Sequence, residues 1–339
     1  EEDTVSGNEG PLCSQWPAQC QPMDQTILGR DSAESETLPR LFRVLTSLLL
    51  ACVVGCAHID LKSPEPGFDR PRAHLRDVGF FAQTEHHCGP AALATVLQYS
   101  GVNATPEALA AQVYVPGRKG SLQAEVAAAA RRSGRVAYQI AGREDAIFRE
   151  LLSGHPVLVL QNLGLALAPQ WHYAVVVGFD RNAATLTLRS GTARRHVVSR
   201  SAFSTSWLGA GAWGLVILKP GELPAQVHEN KYAHAVAPLE RLNQWGAAKQ
   251  AWEAALTVLP QSLVVRIGAA NARYALGDRS GAAQMLESAV TQHPAAAEAH
   301  NNLAHVLGDL GQSQRALRHA HRAVALGGNN VATFQQTLK

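Results

Sequence analysis

The sequence predicts an α+β domain in the middle of the chain and an all-α repeat domain after it, on three observations. One cysteine stands at a loop-to-helix junction within 83–97, ahead of further helix-patterned segments. Runs rich in β-branched residues follow at 157–160, 170–180 and 185–191, the order of an α+β layout with an antiparallel sheet. Beyond Pro220 the composition turns to alanine-rich helix with a fixed period. A chain of 339 residues has room for more than one domain. Its net charge of +3 is too small to argue for nucleic acid, and no basic run carries interleaved aromatics, so no nucleic-acid partner is expected.

Residues 1–39 are polar and without periodicity, and read as disordered or as an over-extended start; Met23 is the only early methionine. Arg40 and Arg43 then flank the start of an apolar run through Gly55 that is too short to span a membrane comfortably, the pattern of a secretory signal. The run closes on Val53-Val54-Gly55-Cys56, which resembles the bacterial lipoprotein box. That resemblance implies cleavage before Cys56 and a lipid on it. Ala57, rather than aspartate, in the next position implies the outer membrane, facing the periplasm. A plain N-terminal anchor or a buried helix is the alternative. Residues 1–55 are therefore expected to be leader plus signal. Residues 56–75, with Pro64, Pro66, Gly67 and Pro71, are expected to be a linker. Cys13, Cys20 and Cys52 precede the expected cleavage point. That leaves Cys88 as a lone thiol without a disulfide partner in an oxidising compartment.

The α+β domain is expected over 76–222. Gly89 allows a tight turn after Cys88, and Pro90 suits a first helical turn. Leu93, Val96 and Leu97 form an apolar helical stripe, and Gly101 is its stop. Cys88 thus falls beside unsatisfied N–H groups at the positive end of a helix, surroundings that favour thiolate over thiol. A small buried core residue is the bland alternative. Thr105-Pro106-Glu107 begins a second helix through about Tyr114. The loop 115–120 contains Gly and Lys without phosphate-loop spacing, so no nucleotide is expected. Ser121 is expected to cap a helix ending near Gly134. Residues 136–140 alternate as a strand, and a helix through Leu152 precedes the strand at 157–160. His86 and His87 are adjacent, and adjacent side chains rarely point at one ion, so neither metal nor cofactor is expected. His155, His196 and Tyr173 read as structural or exposed. Trp171 and Trp207 read as core residues or as the lining of a cleft.

His172 opens the strand at 170–180. An imidazole there, downstream of a helix-start thiol, can take the thiol proton and later return it to a leaving group. Gln83 is placed to join the Cys88 N–H in holding an oxyanion. Gln83, the Cys88-Gly89-Pro90-Ala91-Ala92-Leu93 run and the His172-Tyr173-Ala174-Val175-Val176-Val177-Gly178 run together resemble the bacteriocin-processing (double-glycine) cysteine peptidases, a papain-like family. The resemblance covers about residues 76 to 220. It implies a papain-like fold, with Gln83 in the oxyanion hole, Cys88 attacking a peptide carbonyl and His172 as general base. The family's Asp or Asn that orients the imidazole is missing. Asp180 would lie about 26 Å away along the strand. A hairpin centred near Arg181 and Asn182 instead returns Ser190 to His172, where its hydroxyl is expected to take the Nδ1 proton as a weaker orienter than a charge. The family's acidic residue before the cysteine is replaced by His87.

In the C-terminal part, Gly277, Ala282, Ala289 and Pro294 recur 34 positions later as Gly311, Ala316, Ala323 and Gly328. One period earlier stand Asn243, Ala248, Ala255 and Pro260. The spacing resembles the tetratricopeptide repeat of about 34 residues. Three repeats are expected within 223–330, with 331–339 a tail. Such a stack presents a concave surface to a peptide or partner protein; bracing the first domain is the alternative. Leu326-Gly327-Gly328 reads as the end of a repeat rather than a cleavage site. The sequence therefore predicts a lipid-anchored cell-envelope thiol peptidase whose repeats recruit a protein partner or substrate. A weakly active or inactive papain-like binding module serving as a scaffold is the competing reading. A different thiol acyl-transferase or amidase is another.

Overall fold

The computed structural model describes residues 69–82, 87–328 and 330–337. The expected signal, Cys56 and Gln83 lie outside the described residues. The chain enters through a short strand β1 (Arg72–His74) and then forms α1 (Cys88–Tyr99). Gly101, at φ 84°, takes the left-handed conformation that ends this helix. In α2 (Pro106–Val113) the Thr105 hydroxyl accepts the Ala108 N–H at 3.3 Å, as a cap should. A small hairpin of β2 (Tyr114–Val115) and β3 (Gly120–Ser121) leads into α3 (Gln123–Arg132). Here the expectation fails at Ser121: Leu122 occupies the cap position of α3, and no side chain bonds its first turn.

The rest of the domain runs β4 (Val136–Gln139), α4 (Glu144–Leu152), β5 (Val157–Asn162), β6 (Trp171–Asp180), β7 (Thr185–Ser190), β8 (Ala193–Ser199), α5 (Arg200–Leu208) and β9 (Gly214–Leu218). The strands form one antiparallel sheet in the order β4-β9-β5-β6-β7-β8, and β1 also pairs with β6. That pairing corrects the expected linker, because Arg72–His74 lie against Gly178–Asp180. The pattern Arg-Ala-His carries no apolar alternation. Its place is set by the edge of β6 that β5, whose pairing stops at Val176, leaves uncovered. Gly178 permits the approach, since a Cβ there would sit 2.7 Å from the Ala73 carbonyl oxygen.

The core has two sides. Leu93 and Leu97 of α1 pack with Leu158, Val175, Val177 and Ile217. On the other face Phe148 of α4 meets Phe179, ring centroids 4.5 Å apart. Val177 and Phe179 face opposite layers because the β6–β7 register shifts between Val176 and Gly178, and a bulge reverses the alternation.

Six helices follow: α6 (Glu229–Arg241), α7 (Trp245–Val258), α8 (Leu263–Ala275), α9 (Arg279–Gln292), α10 (Ala297–Asp309) and α11 (Ser313–Leu326). Their first residues, 229, 263, 297 and 245, 279, 313, step by 34 in both series, the period read from the sequence. Small residues permit the close packing: a Cβ on Gly268 would fall 2.5 Å from the Trp252 ring. Instead of a tail, Val331–Thr337 form a helix, α12, whose Phe334 is buried against Ala297 and Ala323. The helices join the sheet domain through specific contacts. Glu150 accepts the Ala225 N–H at 3.1 Å and pairs with His155 Nδ1 at 2.8 Å, and the Tyr138 hydroxyl donates to the Gln226 carbonyl at 3.0 Å. Among the described residues no helix is long and apolar enough to cross a membrane.

Candidate active site

Two elements meet at the site, the tip of α1 and the first residues of β6. Pro90 in the first turn has no N–H to leave unpaired, and the Gly89 Cα passes close to β3. Cys88 is half-buried there, with its sulfur facing backbone N–H groups of Tyr173, Gly89 and Cys88 itself. Burial pushes the thiol up from its ordinary value, and those N–H groups only partly pull it back. This corrects the expectation of a resting thiolate: sequence places the sulfur at a helix start, but the desolvation around it outweighs the donors.

Tyr173 locks the junction. Its hydroxyl donates to the Ser121 carbonyl at 3.2 Å, and its ring stands edge-on to Trp213 at 5.9 Å. Strand alternation turns its neighbour His172 to the opposite side of β6. There His172 Nε2 lies 2.8 Å from the Ser190 hydroxyl. The hairpin therefore brings Ser190 to the imidazole, but at Nε2 rather than the expected Nδ1. Burial, and then nearby His196, push His172 below its ordinary value, so the ring rests neutral near neutral pH. Among the described residues no hydrogen bond joins the ring to the Cys88 sulfur.

The remaining candidates divide. His155 is tied to Glu150, and Trp207 is fully buried with its indole N–H on the Trp213 carbonyl at 2.8 Å; both are structural. Trp171 is 56% exposed beside His172, and the adjoining turn exposes Leu163, Leu165 and Leu167, an apolar rim at the open end of the sheet. Among the described residues no cluster of His, Cys, Asp or Glu is arranged to hold a metal.

Two contributions were not read from the sequence. Arg189, 4% exposed, donates to the carbonyls of Val78 (3.0 Å), Gly79 (3.3 Å) and Arg194 (2.7 Å). It thereby fastens the segment that leads toward Cys88 to the strand that carries Ser190. No local pattern announces a side chain reaching residues 111 positions away. The other is Ser121, whose position before a helix suggested a cap.

The thiol at the helix tip, the imidazole on the adjoining strand and the hydroxyl on that imidazole all fall within one stretch that is similar to known proteins. Residues 75–213 match the Peptidase_C39 like family. The Peptidase_C39 match takes in Cys88, His172 and Ser190 and ends before the helical region. No curated protein matches the chain. Among solved structures, a C39-like peptidase from Bacillus anthracis aligns at 16% identity and TM-score 0.38, covering 44% of this chain and 98% of that one. A double-glycine-motif protease from an AMS/PCAT transporter, in complex with its leader peptide, aligns at 22% identity and TM-score 0.35, with 44% and 98% covered. The peptidase domain of Streptococcus ComA, a bifunctional ABC transporter of a quorum-sensing pathway, aligns at 19% identity and TM-score 0.35, with 42% and 98% covered.

Proposed function

We propose that the sheet domain is a cysteine peptidase in which Cys88 is the nucleophile and His172 the base. The observation that carries this reading is the meeting of the Cys88 sulfur with the Tyr173 N–H, one residue from an imidazole whose Nε2 is already taken by Ser190. Nδ1 is left to receive the thiol proton. The thiolate then adds to the carbonyl carbon of a peptide bond, and the Cys88 N–H and Gln83 hold the oxyanion. Collapse breaks the C–N bond while His172 passes its proton to the leaving amine. Water, deprotonated by the same ring, releases the acid from the thioester. Hydrogen bonds of this kind are often long in unliganded sites and shorten when substrate binds. The apolar rim of Leu163, Leu165, Leu167 and Trp171 suits a substrate with apolar side chains near the cleaved bond.

The 34-residue helix pairs are proposed to be tetratricopeptide repeats that hold a protein partner or the substrate, and Cys56 is proposed to carry a lipid to the outer membrane. Cys56→Ser is then expected to release the protein from membranes.

Two observations favour the competing reading of a binding module: burial raises the thiol while no hydrogen bond among the described residues joins it to the imidazole, and strand alternation turns His172 to the side of β6 opposite Tyr173, which packs with α1. The deciding experiment compares peptide termini in cells carrying active protein with those in cells carrying Cys88→Ala. Termini that depend on Cys88, and that also vanish with His172→Ala, are expected. Identical sets would overturn the peptidase reading in favour of the binding module.

A further inference from the structure

A serine in the cap position of a helix ordinarily bonds its first turn, yet Ser121 stands one residue ahead of the cap, Leu122, and leaves the first turn of α3 without a side-chain bond. Its Oγ is instead buried with no hydrogen-bond partner. The burial is against the α1 tip: a Cβ on Gly89 would overlap this Oγ and lie 2.7 Å from the Ser121 Cβ. The carbonyl of the same residue holds the Tyr173 hydroxyl, and the Tyr173 N–H faces the Cys88 sulfur. An orphaned buried hydroxyl is destabilising, so its retention beside a nucleophile calls for a partner that arrives later. A neutral thiol is a weak acceptor, whereas a thiolate is a charged one that hydroxyl donors bind more strongly.

We propose that Ser121 is a positioning residue for the nucleophile, its hydroxyl standing in reserve at the α1 tip and donating to the Cys88 sulfur once the thiol proton has left. The role rests on Cys88 being the nucleophile of the proposed peptidase. It adds a side-chain donor to the three backbone N–H groups that oppose the desolvation of the sulfur. Titratable neighbours on the surrounding elements are His87 ahead of α1, Tyr114 on β2, Arg118 and Lys119 in the β2–β3 turn, Glu125 in α3, and His172 and Tyr173 on β6. Replacing Ser121 changes none of these groups.

The test is the pH dependence of Cys88 alkylation by iodoacetamide in the full chain, with thermal stability measured alongside. Ser121→Ala is expected to raise the midpoint by about one pH unit, the size of one hydrogen bond to a charged group. Its melting temperature should stay level or rise, since an unpartnered hydroxyl has gone. Ser121→Thr keeps the hydroxyl and should keep the wild-type midpoint. An unchanged midpoint in Ser121→Ala, or equal shifts in the alanine and threonine variants, would overturn the proposal. Peptide cleavage is scored separately. Absent cleavage with the alkylation shift intact defeats the peptidase reading alone; cleavage without the shift defeats the role of Ser121 alone.

Discussion

The Nε2 of His172 and the hydroxyl of Ser190 stand 2.8 Å apart, at the ends of two strands joined by a four-residue turn. A neutral hydroxyl holds the ring in the orientation that frees Nδ1, but it lends an imidazolium less support than a carboxylate would. Ser190→Ala should therefore lower kcat/KM for peptide cleavage by about five- to tenfold, the value of one neutral hydrogen bond. Ser190→Asp works in the other direction. Burial and His196 hold His172 low, and a carboxylate on Nε2 raises it, so the acid limb of the pH–rate profile should move to higher pH. A limb that stays put in Ser190→Asp would show that the ring does not carry the rate.

Gly89 is needed for its missing side chain rather than for its backbone. A methyl group there overlaps the Ser121 hydroxyl and meets the Ser121 Cβ at 2.7 Å, a contact that β3 must yield to relieve. Gly89→Ala is expected to cost about 1–3 kcal/mol in urea denaturation, the usual range for overpacking. Combining it with Ser121→Gly should restore most of that loss. If the pair is no more stable than Gly89→Ala alone, the close approach to Ser121 is not what demands glycine.

What could be read ahead of the structure follows from how local each signal is. The Cys88-Gly89-Pro90 punctuation and the Leu93, Val96, Leu97 stripe are contained in one helix, and α1 begins and ends where they say. Ser190 could be counted back to His172 because a short hairpin converts sequence distance into position. The 34-residue step is likewise a property of neighbouring residues. The acidity of the Cys88 thiol departs from the sequence expectation for the opposite reason. A helix tip is visible in sequence, but desolvation by residues from other elements is not. The same holds for β1, whose three residues acquire a partner only because β6 outruns β5, and for Ser121, whose hydroxyl turns toward a helix that begins 33 positions earlier.

Arg189 is the sharpest instance of a distant requirement, and it is testable. Its guanidinium is buried without a carboxylate partner among the described residues and is satisfied by carbonyls of Val78, Gly79 and Arg194. Arg189→Met leaves those carbonyls dry and unpaired, at an expected cost of about 2–4 kcal/mol in chemical denaturation. Arg189→Lys keeps the charge but not the fork of donors and should recover only part. Since Val78 and Gly79 lead toward the nucleophile, cleavage should fall in both variants even under conditions where they remain folded.

The helical region makes its own prediction, through Glu240 of α6 and Trp252 of α7. The Trp252 indole N–H donates to Glu240 Oε1 at 2.6 Å. Burial raises the carboxyl to about 7, against smaller opposing pulls from that hydrogen bond and from Arg241. An acid whose folded value lies above its unfolded one binds more protons when folded. Its contribution is therefore complete below about pH 4.5, declines as pH rises toward 7 and is gone above. The amount at stake is on the order of 3 kcal/mol. Glu240→Gln keeps an acceptor for Trp252 and cannot ionise, so its melting temperature should fall less than that of the wild type between pH 5 and pH 8. Equal slopes in the two proteins would show that Glu240 is charged in the fold at both pH values and that burial does not control it.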